Sequence, residues 1–97
     1  MKYNIEITSL FKKEYKKMKR RNKDMSKLQT VINSLANGEV LDKKYKDHAL
    51  NNDKRYIDCR ECHIEPNWLL VYKYHDKKLL LLLVETGTHS DLFNCVF

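Results

Sequence analysis

WLLVYKYHDKKLLLLLVET, residues 68–86, is the stretch that decides the fold. WLLVYKY predicts a β-strand, HDKK supplies a tight turn, and residues 79–86 begin with an apolar run. A run this apolar is typical of a strand that is covered on both faces. We therefore predict an antiparallel hairpin whose second strand lies at the centre of a sheet.

Two more strands are predicted outside this hairpin. KYNIEITS, residues 2–9, alternates apolar and polar side chains in the manner of a half-buried strand. Residues 56–64 predict another strand, which the turn residues EPN at 65–67 end. Residues 39–55 show no clean period, and a connection of that length in a small domain is usually functional or mobile.

Two amphipathic helices are predicted between the first strand and this long connection. Ser9 can cap the first helix, Asp24 can cap the second, and Gly38 is well placed to end it. Apolar side chains recur at helical spacing on one face of each helix: Phe11, Tyr15 and Met18, then Leu28, Val31, Ile32 and Leu35. The two helices form an αα-hairpin.

The order β-α-α-β-β-β predicts a single α+β domain over residues 1–97. In this fold the N-terminal strand and the αα-hairpin pack on a mainly antiparallel sheet. Gly87 breaks the last strand, and Thr88 or Ser90 starts a short C-terminal helical turn.

Neither a secretory signal nor a membrane span is visible in the sequence. Residues 1–12 contain no apolar core of a signal peptide, and the longest apolar run, residues 79–84, is too short to cross a bilayer. We expect a cytoplasmic protein without membrane contact, in which the three cysteines stay reduced.

The sequence CRECH, residues 59–63, matches the pattern by which c-type haem is attached, and it could also supply part of a zinc site. Haem attachment belongs to exported proteins, and no second Cys/His pair at short spacing completes a zinc site. Strand alternation would also send Cys59 and Cys62 to opposite faces of the sheet. We therefore expect no metal and no cofactor.

Positive charge is concentrated in one segment of the chain. The net charge is +6, and residues 12–23, KKEYKKMKRRNK, hold eight basic residues and one acidic residue. Such a segment either forms a solvated helix face or binds an anion, of which nucleic-acid phosphate is the commonest macromolecular kind. The candidate contacts are Lys12, Lys13, Lys16, Lys17, Lys19, Arg20, Arg21 and Lys23.

Three of the four histidines are candidates for acid–base chemistry. His48 lies in the long connection, His63 at the end of a strand and His89 just after the last strand. His75 is expected to be an exposed turn residue. Histidine exchanges protons near neutral pH, so two or three at one site can serve as acid and base. For each one alone, a hydrogen-bonded structural role is the commoner alternative.

Two aromatic residues lie close to these histidines along the chain. Trp68 and Phe93 could stack on unpaired RNA bases, or they could belong to the core. The sequence contains no P-loop and no G-x-S-x-G. Histidines with a basic segment favour RNA cleavage by the RNA's own 2′-hydroxyl, for which the protein supplies a base, an acid and a cation.

Three blocks of the sequence resemble the RelE superfamily of bacterial toxins, specifically its YafQ-type branch: YKDHAL at 45–50, RECHIEPNWLLVYKY at 60–74 and TGTHSDLF at 86–93. The resemblance implies a RelE-like fold and an mRNA interferase of a type II toxin–antitoxin system. Such a toxin is a ribosome-dependent endoribonuclease that cuts mRNA in the ribosomal A site, where the basic segment would contact ribosomal RNA. A cognate antitoxin silences the toxin, which meets DNA only through that antitoxin.

The resemblance also implies roles for single residues. His48, His63 and His89 match catalytic-site histidines, and His89 matches the one usually given the main acid role. Trp68 and Phe93 match aromatic positions that are important for activity, and with Asn67 they are the expected substrate-binding residues. Glu61 stands at a catalytic-site position that is often Asp or Glu.

Two site positions depart from the family pattern. Asn67 stands where the family commonly has Asp, and Glu85 stands where an arginine usually stabilises the transition-state phosphate. A carboxylate about 4 Å from a phosphate would repel it by roughly 1–4 kcal/mol. Glu85 could instead act as a general base, with positive charge supplied by one of three basic residues: Arg60, Lys46 or Lys73.

The alternative hypothesis is a catalytically weakened module that acts through antitoxin and RNA binding and through transcriptional co-repression. The residues NCVF at 94–97 run past the usual end of the family pattern, and no role is predicted for them.

Overall fold

The computed structural model describes residues 1–51 and 54–92. In chain order the described elements are β1 (Asn4–Ile7), α1 (Ser9–Arg20), α2 (Met25–Ala36), β2 (His48–Ala49), β3 (Arg60–Glu65), β4 (Trp68–His75), β5 (Leu80–Gly87) and α3 (His89–Leu92). Short 3₁₀ turns precede β2, β3 and β5: Lys43–Tyr45, Lys54–Tyr56 and Asp76–Lys78. The predicted α+β class is confirmed. Among the described helices, none has the length and apolar character needed to cross a bilayer.

The strands form one five-stranded sheet in the order β1-β5-β4-β3-β2. β1 pairs with β5 in parallel, and the other pairings are antiparallel, so the sheet is mainly antiparallel as predicted. Leu81 and Leu83 of β5 are buried, whereas Leu80 and Leu82 are only partly buried. The expectation that this strand is covered on both faces is therefore wrong.

Thr8, one residue before the predicted Ser9, caps α1. Its Oγ1 accepts a hydrogen bond from the Phe11 N–H at 2.9 Å and donates one to the Val84 carbonyl at 2.7 Å. Asp24 caps α2 as predicted. Thr8 thus fixes the start of α1 and joins it to β5.

Helices α1 and α2 cover one face of the sheet and leave most of the other open. The covered face carries the larger core, which includes Phe11, Met18, Leu28, Leu35, Cys62, Leu70, Tyr72, Leu81 and Leu83. The open face carries a smaller buried cluster: Tyr56, Cys59, Leu69, Val71 and Leu92. Cys59 and Cys62 therefore lie on opposite faces, as the strand alternation predicted.

Two rows of paired residues cross the open face. The first row runs from β2 to β5 through His48, Glu61, Val71 and Glu85. The second row runs from β3 to β5 through His63, Leu69 and Gly87. The polar members of these rows come from strands that are far apart in the sequence, and the sheet register brings them side by side.

Glu85 belongs to the first row because β5 contains a bulge. Leu83 pairs with Tyr72 and Glu85 pairs with Val71, which leaves Val84 as an extra residue in β5. An extra residue reverses the alternation of the side chains beyond it. The bulge thus turns Glu85 towards the open face, where Val71 also points.

Candidate active site

Glu61 is buried between two histidines on the open face. Its side chain is 6% exposed, and its Oε1 lies 3.5 Å from Nε2 of His48 and 3.6 Å from Nε2 of His63. A buried carboxylate requires hydrogen-bond donors or an opposite charge nearby. Each of the two predicted catalytic histidines supplies both to Glu61 in its imidazolium form.

Backbone carbonyls orient both imidazoles. Nδ1 of His48 donates to the Lys46 carbonyl at 2.8 Å, and Nδ1 of His63 donates to the Pro66 carbonyl at 3.3 Å. Because a carbonyl can only accept, Nδ1 carries the proton in each ring and Nε2 faces Glu61. A proton taken up at either Nε2 would then lie beside a negative charge.

His89 lies at the start of α3, next to His63. The ring centroids of His63 and His89 are 5.8 Å apart, and those of His48 and His63 are 6.4 Å apart. The backbone N–H of His89 donates to Oδ1 of Asn67 at 3.2 Å. The structure therefore brings the three predicted histidines together at one end of the sheet, with Asn67 holding the third.

Asp91 anchors the turn that carries His89. Its Oδ2 accepts from the Thr88 N–H at 3.0 Å, while Oγ1 of Thr88 accepts from the Asp91 N–H at 3.1 Å. The carboxylate also pairs with Arg21 at 3.0 Å and Lys17 at 3.4 Å. Burial alone would raise the pKa of Asp91, but the Thr88 N–H and the Arg21 guanidinium outweigh it and lower the pKa to about 2.

Glu14 of α1 contacts the end of β5, just before Thr88, from the covered face. Its Oε1 accepts from the backbone N–H of Thr86 at 3.2 Å. Burial is the main reason that the pKa of Glu14 rises to about 7, and the charges of Glu85 and Asp91 act in the same direction. Near neutral pH this carboxyl group is therefore protonated for part of the time.

Glu85 is fixed by an aromatic hydroxyl. The Tyr56 hydroxyl donates to Oε2 of Glu85 at 2.7 Å, and the Arg55 guanidinium lies over the Tyr56 ring, 5.3 Å from its centroid. Adjacent strands are about 4.8 Å apart, so Glu85 lies about 10 Å from Glu61, across Val71.

Arg55 and Tyr56 are absent from the predicted site because they lie in or next to the aperiodic connection. The one signal for these two residues in the sequence is that a basic and an aromatic residue stand next to each other.

Two predicted substrate contacts point away from the histidines. Trp68 is 0% exposed, and its indole N–H donates to Oγ1 of Thr86 at 3.0 Å. The prediction that its ring stacks on RNA is wrong, because the core buries it. Arg60 pairs with Asp47 at 3.1 Å, and the Tyr72 hydroxyl donates to the same carboxylate at 2.6 Å. Arg60 lies on the covered face, so its predicted substrate contact beside the histidines is also wrong.

The remaining predicted contacts differ in position. Lys73 follows Val71 by two residues in β4 and so lies on the open face. Lys46 adopts a left-handed conformation, with φ of 49°, two residues before His48. Phe93 and residues 94–97 lie outside the described residues. His75 is exposed at the opposite end of β4, as predicted.

The basic segment divides into two groups. Lys17 and Arg21 pair with Asp91, and Lys23 pairs with Glu65 at 3.3 Å. The other predicted contacts are exposed to solvent: Lys12, Lys13, Lys16, Lys19 and Arg20. The exposed group remains available to an external anion.

The two cysteines of CRECH do not form a joint binding site. They are free thiols on opposite faces of the sheet, and burial raises the pKa of both. A thiol with a raised pKa stays protonated and is a poor metal ligand. Within residues 1–51 and 54–92, no three His, Cys, Asp or Glu side chains form a metal-binding group.

This fold is shared with bacterial toxins of toxin–antitoxin systems. A chain in the Escherichia coli DinJ–YafQ complex is 39% identical, with a TM-score of 0.83 over 94% of this chain and 98% of that one. A metal-bound toxin from Helicobacter pylori is 38% identical, with a TM-score of 0.86 over 94% of this chain and 99% of that one. The architecture is therefore shared over nearly the whole of each chain.

Sequence comparison narrows the class to one family. Residues 3–94 match the family described as "Bacterial toxin of type II toxin-antitoxin system, YafQ". The "mRNA interferase toxin YafQ" of Escherichia coli strain B / BL21-DE3 is 42% identical over 92 residues, which cover 93% of this chain and 95% of that protein. This chain belongs to the YafQ family of type II toxins, which confirms the resemblance seen in the sequence.

Proposed function

We propose that this chain is an endoribonuclease that cleaves mRNA in the ribosomal A site and is silenced by a cognate antitoxin. The observation that carries the proposal is the convergence of His48, His63 and His89 around the buried Glu61. The name mRNA interferase, given to two relatives, supports RNA as the substrate.

The three histidines provide the two proton transfers that RNA cleavage needs. His48 or His63 removes the proton of the 2′-hydroxyl at its Nε2, beside the Glu61 carboxylate. The 2′-oxygen attacks phosphorus, and the bond to the 5′-oxygen breaks, which leaves a 2′,3′-cyclic phosphate. His89 donates a proton to the leaving 5′-oxygen. Each positioned acid or base contributes about 10²–10⁴-fold to the rate.

Positive charge for the developing phosphorane comes from the open face. Arg55 stacks on Tyr56, whose hydroxyl is bound to Glu85, so a guanidinium and a carboxylate flank one ring. Lys73 lies on the same face of β4. Glu85 is engaged by Tyr56, which reduces the repulsion that a carboxylate free to approach the phosphate would exert.

The partners follow from the same assignment. Two Escherichia coli structures similar to this chain are DinJ–YafQ complexes, one of them described as a toxin–antitoxin complex, which supports an antitoxin partner here. The exposed basic residues of α1 suit the phosphates of ribosomal RNA, since such contacts position a protein without reading sequence. Both the ribosome and mRNA place the activity in the cytoplasm, and DNA contact would be made through the antitoxin.

Primer extension on mRNA translated in a reconstituted ribosomal system tests the proposal. The parent protein should produce cuts in the A-site codon, and His89→Ala should reduce their rate by about 10²-fold or more. His75→Ala is the matched control, because His75 is exposed at the far end of β4. Equal cleavage by His89→Ala and His75→Ala would exclude His89 as the acid.

The carboxylate of Glu85 favours a second candidate function, a toxin-like module with weakened catalysis that acts through antitoxin and RNA binding. Glu85→Arg distinguishes the two in the same assay. If missing positive charge limits the reaction, this variant cleaves faster than the parent. If Glu85 acts as base or as the anchor of Tyr56, cleavage falls.

A further inference from the structure

A groove of about 430 Å³ opens beside the histidine cluster. It is lined on one side by Ser26, Lys27 and Thr30 of α2 and on the other by residues 44–46, and it ends at residues 63–66. Its volume lies within the roughly 300–1,000 Å³ that is usual for ligand clefts. Of the three histidines proposed for proton transfer, His63 is the one that lines the groove.

The charged residues that line this groove are mostly basic. They are Lys27, Lys44 and Lys46, with Glu65 as the carboxylate among them. Lys27 pairs with Glu65 at 2.9 Å, and this hydrogen bond is the main reason that the pKa of Glu65 is lowered. Lys44 and Lys46 form no ion pair with any residue of 1–51 or 54–92. Nζ of Lys44 lies 5.2 Å from the centroid of the Tyr45 ring, a contact that does not neutralise its charge. The positive charge of both lysines is therefore available to an external anion.

The groove is structurally continuous with the site of cleavage. The carbonyls that orient His48 and His63 belong to Lys46 and Pro66, and both of these residues line the groove. An RNA strand whose reacting phosphate lies at the imidazoles must leave the site past one of these two residues or across the open face. The open face carries Arg55 and Lys73, and the groove adds Lys44 and Lys46 beside the loop that orients the histidines.

We propose that this groove binds the backbone phosphate of the nucleotide next to the cleaved linkage, with Lys44 and Lys46 as its cationic contacts. The inference rests on the proposed ribonuclease function and adds a second phosphate subsite to it. Single-stranded RNA is favoured over an acidic antitoxin segment because the same loop residues build the groove and orient the catalytic histidines. Ammonium groups bind phosphate without regard to base identity.

Fluorescence anisotropy with a short 2′-O-methyl RNA, which cannot be cleaved, tests this subsite over a range of salt concentrations. Lys44→Gln/Lys46→Gln removes both charges and keeps an unbranched, polar side chain at each position. Lys77→Gln/Lys78→Gln is the matched control, since it removes two exposed charges at the other end of β4. The groove variant should bind about tenfold more weakly, and the slope of log affinity against log salt should fall by about 0.7 for each phosphate that the variant no longer neutralises. The control should bind like the parent.

Equal RNA affinity of the groove variant and the control would overturn the subsite. A groove variant that loses affinity only for an acidic antitoxin peptide would overturn it as well, because the groove would then be an antitoxin site. Cleavage measured on the same proteins separates this inference from the proposed function. A parent that does not cleave, with binding still weakened in the groove variant, refutes the nuclease and leaves the groove as a phosphate-binding site without a part in cleavage. If the parent cleaves and the groove variant binds and cleaves like the control, the nuclease is kept and the subsite is refuted.

Discussion

At the scale of single residues, the central feature of the candidate site is a carboxylate between two imidazoles, to which the proposed mechanism gives the proton chemistry. Glu61 is buried, and both rings that approach it have their Nδ1 protons committed to backbone carbonyls. The rings therefore cannot turn to present Nδ1 without breaking a hydrogen bond. A substitution that removes the charge of Glu61 and keeps the shape of its side chain measures what the charge contributes to cleavage.

Glu61→Gln should lower the rate of mRNA cleavage by about 10–100-fold, because a neutral amide does not stabilise a protonated imidazole beside it. Its urea unfolding midpoint should stay close to that of the parent, since the volume of the side chain is preserved. Glu6→Gln, which changes an exposed carboxylate of β1, serves as the control. Cleavage at the parental rate would show that the Glu61 charge takes no part in the reaction.

Trp68 illustrates a role that its sequence position leaves open. A tryptophan at the start of a strand suits both a core and a binding surface, and only its packing against Thr86 and the helices decides between them. Trp68→Phe should lower the free energy of unfolding by about 1–3 kcal/mol, because it removes buried volume and the hydrogen bond to Thr86. Cleavage by the folded variant should remain near the parental rate. A large fall in cleavage at unchanged stability would restore a direct role in binding RNA.

At the scale of elements, the features that could be predicted are those specified by nearby residues. Asp24 caps α2, and Gly38 follows the helix with φ of +76°, a conformation that glycine adopts easily. β2 contains two residues, which is too few to show a period. The bulge at Val84 depends on how β4 meets β5, so nothing local indicates that Glu85 changes face. The same limit hides Arg55, whose place near Glu85 arises from tertiary packing.

Asp91 connects α1 to α3, and its pKa predicts how stability depends on pH. The folded pKa of about 2 lies below the ordinary value of 3.8, so the stabilisation is complete above about pH 4 and is lost as the pH falls towards 2. The shift corresponds to about 2 kcal/mol. Asp91→Asn should therefore be less stable than the parent at neutral pH by about this amount, and the difference should shrink on acidification. Urea unfolding at a series of pH values measures it, and parallel curves for the two proteins would contradict the assignment.

At the scale of the whole molecule, the histidine cluster and the exposed basic residues of α1 lie on different sides. The histidines lie on the open face, whereas α1 packs on the covered face and exposes Lys16 and Lys19 to solvent. A protein built in this way can bind one region of a large assembly with its helix while the sheet faces another. Attachment and cleavage should then respond to different substitutions.

Lys16→Glu/Lys19→Glu should weaken co-sedimentation with ribosomes by about tenfold at low salt, and by less at high salt, because the attraction to phosphate is screened. Lys77→Glu/Lys78→Glu makes the same change in net charge at the far end of β4. If both variants bind ribosomes equally weakly, net charge controls attachment and the α1 surface has no special part in it.

The parallel pairing of β1 with β5 has a consequence for how the toxin is made. Asn4 lies beside Leu80, so the first strand has no partner until translation has passed nearly the whole described chain. Contacts between residues so far apart in sequence form late and slowly. His89 follows β5, and a nascent polypeptide therefore lacks both a closed sheet and a complete set of imidazoles. Under the proposed function, this order of synthesis spares the ribosome that produces the toxin while elongation continues.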